Sequence, residues 1–329
     1  MAVTECRGCL TALPTNMDFN RLGNSGLVVS RLGLGCNNFA WNRLSKADSI
    51  PVLRGAVEAG VTLFDTSDSY GDSEVAVGEA LEGYRDEVVI ATKFGSDLKG
   101  ALGPDWGARG SRRYIRKAVE RSLGRLRTDH IDLYQLHRPD PLTPIQETLT
   151  ALTELVQEGK IRYIGSSNLA GWQVADAEWT ARTHHLERFV SAQNNYNLLE
   201  REIEADVVPA CEEFGIGILP YFPLASGLLT GKYTRGEPAP KGTRYGEWGL
   251  QAGDERFDVV EKLQAFAAER GVEVLDVAMG GLAAQPAVSS VIAGATSVEQ
   301  IRRNAEAVAW QPTADDLRAL DQLAPTPRS

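Results

Sequence analysis

The chain has 329 residues, 43% of them hydrophobic, and a formal net charge of −10. That charge excludes a nucleic-acid partner, whose phosphates demand a basic face. No apolar stretch is long enough to span a bilayer, and no basic-then-apolar secretory layout opens the chain, so no membrane partner is expected. Four cysteines, at positions 6, 9, 36 and 211, are too few for a disulfide framework and point to a reducing cytoplasm.

Residues 1–16 read as a disordered leader, or as lying upstream of a true start at Met17. Within them Cys6 and Cys9 have the spacing of half a zinc site, but no second Cys or His pair completes it, so no metal is expected. Residues 17–329 read as one domain. Phe19–Arg21 and Leu27–Ser30, joined through Gly23-Asn24-Ser25-Gly26, predict a β-hairpin. Eight further strands are predicted, at Arg31–Gly35, Val61–Phe64, Val88–Thr92, Ile131–Leu136, Ile161–Ser166, Phe189–Asn194, Ile216–Tyr221 and Ser290–Ala293. Helical patterns alternate with them. Ser111–Leu126 has Ser111 as N-cap, and Thr143-Pro144-Ile145-Gln146 reads as a capping box whose helix Gly159 closes. Eight strand–helix units predict a parallel sheet closed into a single (β/α)8 TIM barrel. An open doubly wound sheet is the weaker alternative, because Gly33-Leu34-Gly35-Cys36-Asn37-Asn38 lacks the third glycine of a dinucleotide turn. Two long Gly- and Pro-containing segments, Gly95–Gly110 and Lys232–Asp254, follow the third and seventh strands and should lie on the catalytic rim.

Three of these strands deliver polar residues of one chemical kind. Asp65 follows Val61-Thr62-Leu63-Phe64, with Tyr70 in the adjoining loop. Lys93 follows Val88–Thr92, and His137 follows Ile131–Leu136. In a parallel barrel these ends meet on one rim. A lysine ammonium beside a tyrosine favours the phenolate and is expected to lower the phenol pKa. The aspartate would hold the lysine, and the histidine would stand by a polar substrate oxygen. A satisfied core histidine or a buried structural ion pair is the blander reading. His137 alone of four histidines ends a strand, and a buried pair is not reliably stabilising, so the chemical reading is preferred.

The stretch Phe64-Asp65-Thr66-Ser67-Asp68-Ser69-Tyr70-Gly71, with Ala91-Thr92-Lys93 and Leu136-His137, resembles the aldo-keto reductases, NAD(P)H-dependent carbonyl reductases. The resemblance runs from about Phe19 to about Leu323. It implies a hairpin that caps the barrel bottom and a catalytic group of Asp65, Tyr70, Lys93 and His137. It implies that Ser167, Asn168 and Gln193 hold the nicotinamide carboxamide and that Tyr221 stacks on its ring. Phe222, Pro223, Leu224, Ser226, Gly227 and Lys232 would line the pyrophosphate side, and Asn37 joins the cofactor set. The run Gly294 to Gln300, with Thr296 and Ser297, opens a helix that includes Arg303 and Asn304. Helix N-termini attract anions, which suits the adenosine phosphate of NADPH. Several relatives have arginine where this chain has Gln300, and acidic residues are common where it has Arg303. Arg244 and Arg303 could therefore supply the charge, and NADPH is expected over NADH.

The substrate, a small carbonyl compound, is expected among Asn38, Phe39, Trp41, Trp106, Tyr245 and Trp248. Self-association is left open. Two rival readings are a cofactor-binding redox sensor with little turnover and a barrel enzyme using Lys93 as a Schiff base. Met279-Gly280-Gly281 interrupts a helical pattern with no compensation visible in the sequence, although each helix-interior glycine costs roughly 1 kcal/mol.

Overall fold

The structure, a computed structural model, describes residues 17–39, 43–243, 245–246 and 253–324. The leader with Cys6 and Cys9, and the positions Trp41, Arg244 and Trp248, lie outside the described residues.

Strands β1 (Phe19–Arg21) and β2 (Val28–Ser30) form the predicted antiparallel hairpin. Eight parallel strands follow: β3 (Leu32–Gly35), β4 (Leu63–Asp65), β5 (Val89–Phe94), β6 (Ile131–Leu136), β7 (Ile161–Ser167), β8 (Phe189–Gln193), β9 (Gly217–Ile218) and β10 (Val291–Gly294). They pair in chain order, and β10 returns to β3. Ile218 bridges Val288, and the Ile292 N–H donates to the Pro220 carbonyl at 3.0 Å, which closes the sheet into a barrel. Here β9 is shorter than the sequence predicts. Pro220 has no N–H for a ladder, so Tyr221 keeps only an isolated bridge to Asn195.

Side chains alternate across a strand, so every second residue enters the barrel. Leu63, Ala91 and Leu133 form an apolar layer with Leu219 and Ile292, and the hairpin's Leu22 and Val29 plug it from below. Two residues further along, Asp65, Lys93 and Gln135 stand one layer higher. The hairpin is held at the barrel's bottom because Gly23 lies against the residues preceding β9. A Cβ there would stand 2.5 Å from the Gly215 carbonyl oxygen.

Helices α1 (Lys46–Glu58), α2 (Ser73–Ala80), α3 (Arg112–Leu126), α4 (Ile145–Gln157), α5 (Gly171–His184), α6 (Val207–Phe214), α7 (Asp254–Glu269), α8 (Val274–Ala283), α9 (Val298–Val308) and α10 (Ala314–Leu323) surround the sheet. Two predicted caps are not formed. Ser111 occupies the N-cap of α3, but its hydroxyl donates back to the Ala108 carbonyl at 2.7 Å. At α4 the N-cap is Pro144, and Thr143 donates instead to Asp140 Oδ2 at 2.7 Å, the stronger acceptor within reach. The close of α4 is as predicted, with Gly159 in the left-handed region just past it. Gly280 and Gly281 are explained by close approach. A Cβ on Gly280 would stand 2.5 Å from the Trp310 carbonyl oxygen, and one on Gly281 would press on Leu320 at 3.1 Å.

Candidate active site

The layer above the apolar floor is polar and fully paired. The Lys93 ammonium is completely buried and donates to Asp65 Oδ2 at 2.7 Å and to the Thr66 carbonyl at 2.9 Å. The other Asp65 oxygen accepts from Gln193 Nε2 at 2.8 Å and from Gln135 Nε2 at 3.2 Å. Strands β5, β6 and β8 thus each send one inward side chain to the carboxylate that β4 supplies. The loop after β4 is pinned by its backbone: the Thr66 N–H donates to the Ala91 carbonyl, Asp68 to Lys93 and Tyr70 to Ser67. This brings the half-buried Tyr70 ring to 5.1 Å from Lys93 Nζ. His137 meets Tyr70 edge to face at 5.7 Å. Its Nδ1 lies 3.1 Å from Ser67 Oγ and 2.9 Å from Ser96 Oγ.

Burial drives the electrostatics. It pushes the Tyr70 pKa up, and the Lys93 charge opposes this without overcoming it. The expected lowering of the phenol is therefore only a partial counterweight: desolvation of a phenolate at the barrel mouth outweighs the ammonium. Burial also works against the Lys93 ammonium, but Asp65, then Tyr70, hold its pKa above the usual value. His137 is pushed down to about 2 by burial, with Lys93 and Arg138 adding repulsion, so its imidazole is neutral. Asp68, beneath the same loop, is pushed up to about 8 by burial and by Glu74.

A cavity of about 680 Å³ opens over this group. Asp65, Tyr70 and His137 line it, while Lys93 stands beneath. Continuing around the rim, Ser167, Asn168, Gln193, Tyr221, Phe222, Pro223, Leu224, Ser226, Gly227 and Lys232 line it, then Gly294, Thr296, Gln300, Arg303 and Asn304. Asn37 and Asn38 complete the wall. The polar groups are already ordered. The Tyr221 hydroxyl donates to Asn168 Oδ1 at 2.8 Å, and Asn168 Nδ2 donates to the His137 carbonyl at 2.9 Å.

The far side of the cavity has the character of an anion site. Ala225, Ser226 and Gly227 are consecutive left-handed residues, a strained run of the kind kept at ligand clamps, and it ends beside Lys232. Ser297 caps the N-terminus of α9, and Gln300 Oε1 accepts from the Thr296 N–H at 2.9 Å. A phosphate-bearing dinucleotide suits this donor set.

A model of the aldo/keto reductase family matches residues 31–325. The chain belongs to the aldo/keto reductase family. It is 34% identical to a probable aldo-keto reductase 1 of Glycine max, over 93% of this chain and 88% of that protein. It is 35% identical to an uncharacterized oxidoreductase, YrpG, of Bacillus subtilis, over 94% of this chain and 97% of that one. An aldo-keto reductase of Fusarium vanettenii is 33% identical over 95% and 93%. Family membership makes this chain an oxidoreductase.

Not every expected residue of this aldo/keto reductase reaches the cavity. Phe39 is buried in the core between sheet and helices. Tyr245 packs edge to face on Tyr233 in a separate cluster under α7 and α8. Trp106 is 74% exposed and carries the Arg113 guanidinium on its ring. Loop aromatics here follow their own packing, not the pocket. Ser297 serves its helix rather than the cavity wall. Arg303 lines the cavity but is bound to Asp276 at 2.7 Å and Glu273 at 2.8 Å. Conversely, the sequence reading missed Arg43, Ser69, Ser96 and Arg138, all of which line the cavity. Arg138 had a usable signal, since it directly follows a strand-end histidine. Ser96 also had one, since it lies two residues past the end of β5 in a segment expected on the rim, whereas Arg43 had none.

Proposed function

We propose that this aldo/keto reductase reduces an aldehyde or ketone to the alcohol with NADPH, with Tyr70 as the general acid. The observation that carries this reading is the Tyr70 phenol at the cavity wall, 5.1 Å from a buried lysine ammonium that Asp65 holds at 2.7 Å. The bound nicotinamide dinucleotide supplies the hydride. A phenol whose pKa is held up stays protonated through the ordinary pH range, as an acid must. As the carbonyl oxygen gains charge, Tyr70 gives it a proton, and Lys93 steadies the phenolate left behind. With the Ser67 and Ser96 hydroxyls beside Nδ1, we assign the His137 proton to Nε2. A neutral imidazole of that form donates to the carbonyl oxygen without competing for Tyr70's proton.

Ser167, Asn168 and Gln193 would hold the carboxamide, and Tyr221 would cover the ring. Lys232, the left-handed run at 225–227 and the α9 N-terminus would take the phosphates. Among the described residues four cations, Arg43, Arg138, Lys232 and Arg303, line the cavity against one carboxylate, Asp65, which favours the more anionic cofactor. Arg244 follows Gly242 and Thr243, both on the cavity wall, and is assigned with Arg303 to the adenosine phosphate. The buried free thiols of Cys36 and Cys211 accord with a cytoplasmic enzyme.

The test is turnover of an aldehyde and ketone panel with each cofactor. Carbonyl-dependent oxidation of NADPH, faster at low cofactor than that of NADH, is expected. Absence of turnover with every carbonyl would refute the reaction, and a preference for NADH would refute the cofactor assignment. Arg244→Ala should weaken NADPH more than NADH; equal weakening would move Arg244 to the shared pyrophosphate.

A further inference from the structure

Arg138 follows His137 at the end of β6 and lines the end of the cavity that holds the tetrad of Asp65, Tyr70, Lys93 and His137. It is close enough for its charge to act on Tyr70, His137 and Tyr221. Among the described residues its exposed guanidinium has no ion-pair or hydrogen-bond partner. The other cavity cations are engaged. Arg303 is bound by two carboxylates, Arg43 donates to the Gly242 carbonyl at 3.1 Å, and Lys232 lies over the Tyr233 ring at 5.3 Å.

The acids that might have neutralised Arg138 are turned elsewhere. Asp140, two residues on, accepts from the Gly110 N–H at 2.6 Å, the Leu142 N–H at 2.9 Å and the Thr143 hydroxyl at 2.7 Å. Asp65, the one carboxylate on the cavity wall among the described residues, faces Lys93. The chain has 44 acidic and 34 basic side chains, yet among the described residues the arginine beside its reacting centre lacks a carboxylate. A solvated rim charge would have the same exposure. It would not need the acid two residues on folded away into a loop.

We propose that Arg138 binds an anionic group on the carbonyl substrate, so that the enzyme prefers aldehydes or ketones bearing a carboxylate or phosphate monoester to their neutral counterparts. This rests on the carbonyl-reduction reading above. A guanidinium presents two parallel donors that match either anion, and the pairing is stronger than a neutral hydrogen bond. The local positive charge would also draw such a substrate inward against the acidic surface of the whole molecule.

The experiment compares matched pairs: terephthalaldehydic acid with its methyl ester, and glyceraldehyde phosphate with glyceraldehyde. The expected ratio of kcat/KM, anionic to neutral, is about tenfold or more in at least one pair. Which pair shows it separates carboxylate from phosphate recognition. Arg138→Ala should bring the ratio close to one, Arg138→Lys should keep part of it, and added salt should lower it in the unaltered enzyme. Taking a ratio removes any general effect of the arginine's charge on Tyr70. A ratio near one in the unaltered enzyme, or one that survives Arg138→Ala, overturns the proposal. So does an Arg138→Ala variant whose NADPH affinity, by fluorescence titration, falls as far as the ratio does, since the arginine would then hold the cofactor. Calorimetric titration of the same pairs into protein saturated with oxidised cofactor reads the preference without turnover. Complete inactivity would therefore sink the carbonyl-reduction reading while binding still decides the arginine's role.

Discussion

The two halves of the barrel rim are built by different means. At the tetrad end, side chains carry the site: β4, β5, β6 and β8 send Asp65, Lys93, Gln135 and Gln193 into one buried network. At the opposite end the backbone carries it, through the left-handed run Ala225, Ser226 and Gly227 and the N-terminus of α9. The first arrangement concentrates charge where burial magnifies it. The second offers amides and a helix end to phosphate, and tolerates varied side chains. Substitutions should therefore damage chemistry at one end and binding at the other.

The largest combined effect on stability and turnover should come from Lys93→Met. It leaves Asp65 buried without its cation, and breaking a buried pair in this way costs about 3–5 kcal/mol. It also removes the charge that opposes the rise in the Tyr70 pKa, so the phenol becomes a still weaker acid. Reduction should slow by about 10²-fold or more, and urea unfolding should report the stability loss. A stable, fully active Lys93→Met would end the distinction between the two rim halves.

Gly227→Ala tests the backbone end. At φ +104° a side chain is strained, and its Cβ would stand 3.1 Å from the end of Lys232. Strain of roughly 1–3 kcal/mol should weaken cofactor binding about tenfold while a saturating cofactor restores turnover. A fall in kcat at saturation instead would place chemistry on the wrong side of the rim.

His137 gives a pH signature. Its buried pKa is about 2, against about 6.5 in the unfolded chain. Below about pH 6.5 the unfolded state takes a proton that the folded state refuses, so stability falls with acidification by about 1.4 kcal/mol per unit. His137→Gln removes this term, and its stability should decline less steeply between about pH 6 and pH 4. Parallel slopes for the two proteins would mean that the imidazole is not held neutral.

Much of the tetrad half is legible in the sequence, because it depends on residue identity at predictable strand ends. Asp65, Lys93 and His137 stand where the period-two pattern puts them. What the sequence hid depends on approach between distant segments. Pro220 shortens β9, Asp140 diverts Thr143 from capping α4, and Trp106, Phe39 and Tyr245 pack away from the cavity. Gly280 is the plainest instance: its reason is the Trp310 carbonyl thirty residues on. Alanine there improves helix propensity by about 1 kcal/mol but overpacks the contact, so Gly280→Ala should lose about 1–3 kcal/mol in denaturant unfolding. A gain would show that α8 shifts freely. Trp106→Ala should do least. With its ring exposed, stability should change by no more than about 0.5 kcal/mol and KM for a small aldehyde should stay within roughly twofold.

The division between a chemical and a binding half is tested most directly with Tyr70→Phe, measured for turnover of an aldehyde and for NADPH affinity on the same protein. The phenol should matter to the reaction and not to the cofactor. Turnover should fall by about 10²–10⁴-fold, with the dissociation constant for NADPH unchanged within roughly twofold. Near-native turnover, or a loss of NADPH binding that accounts for the lost rate, would contradict it.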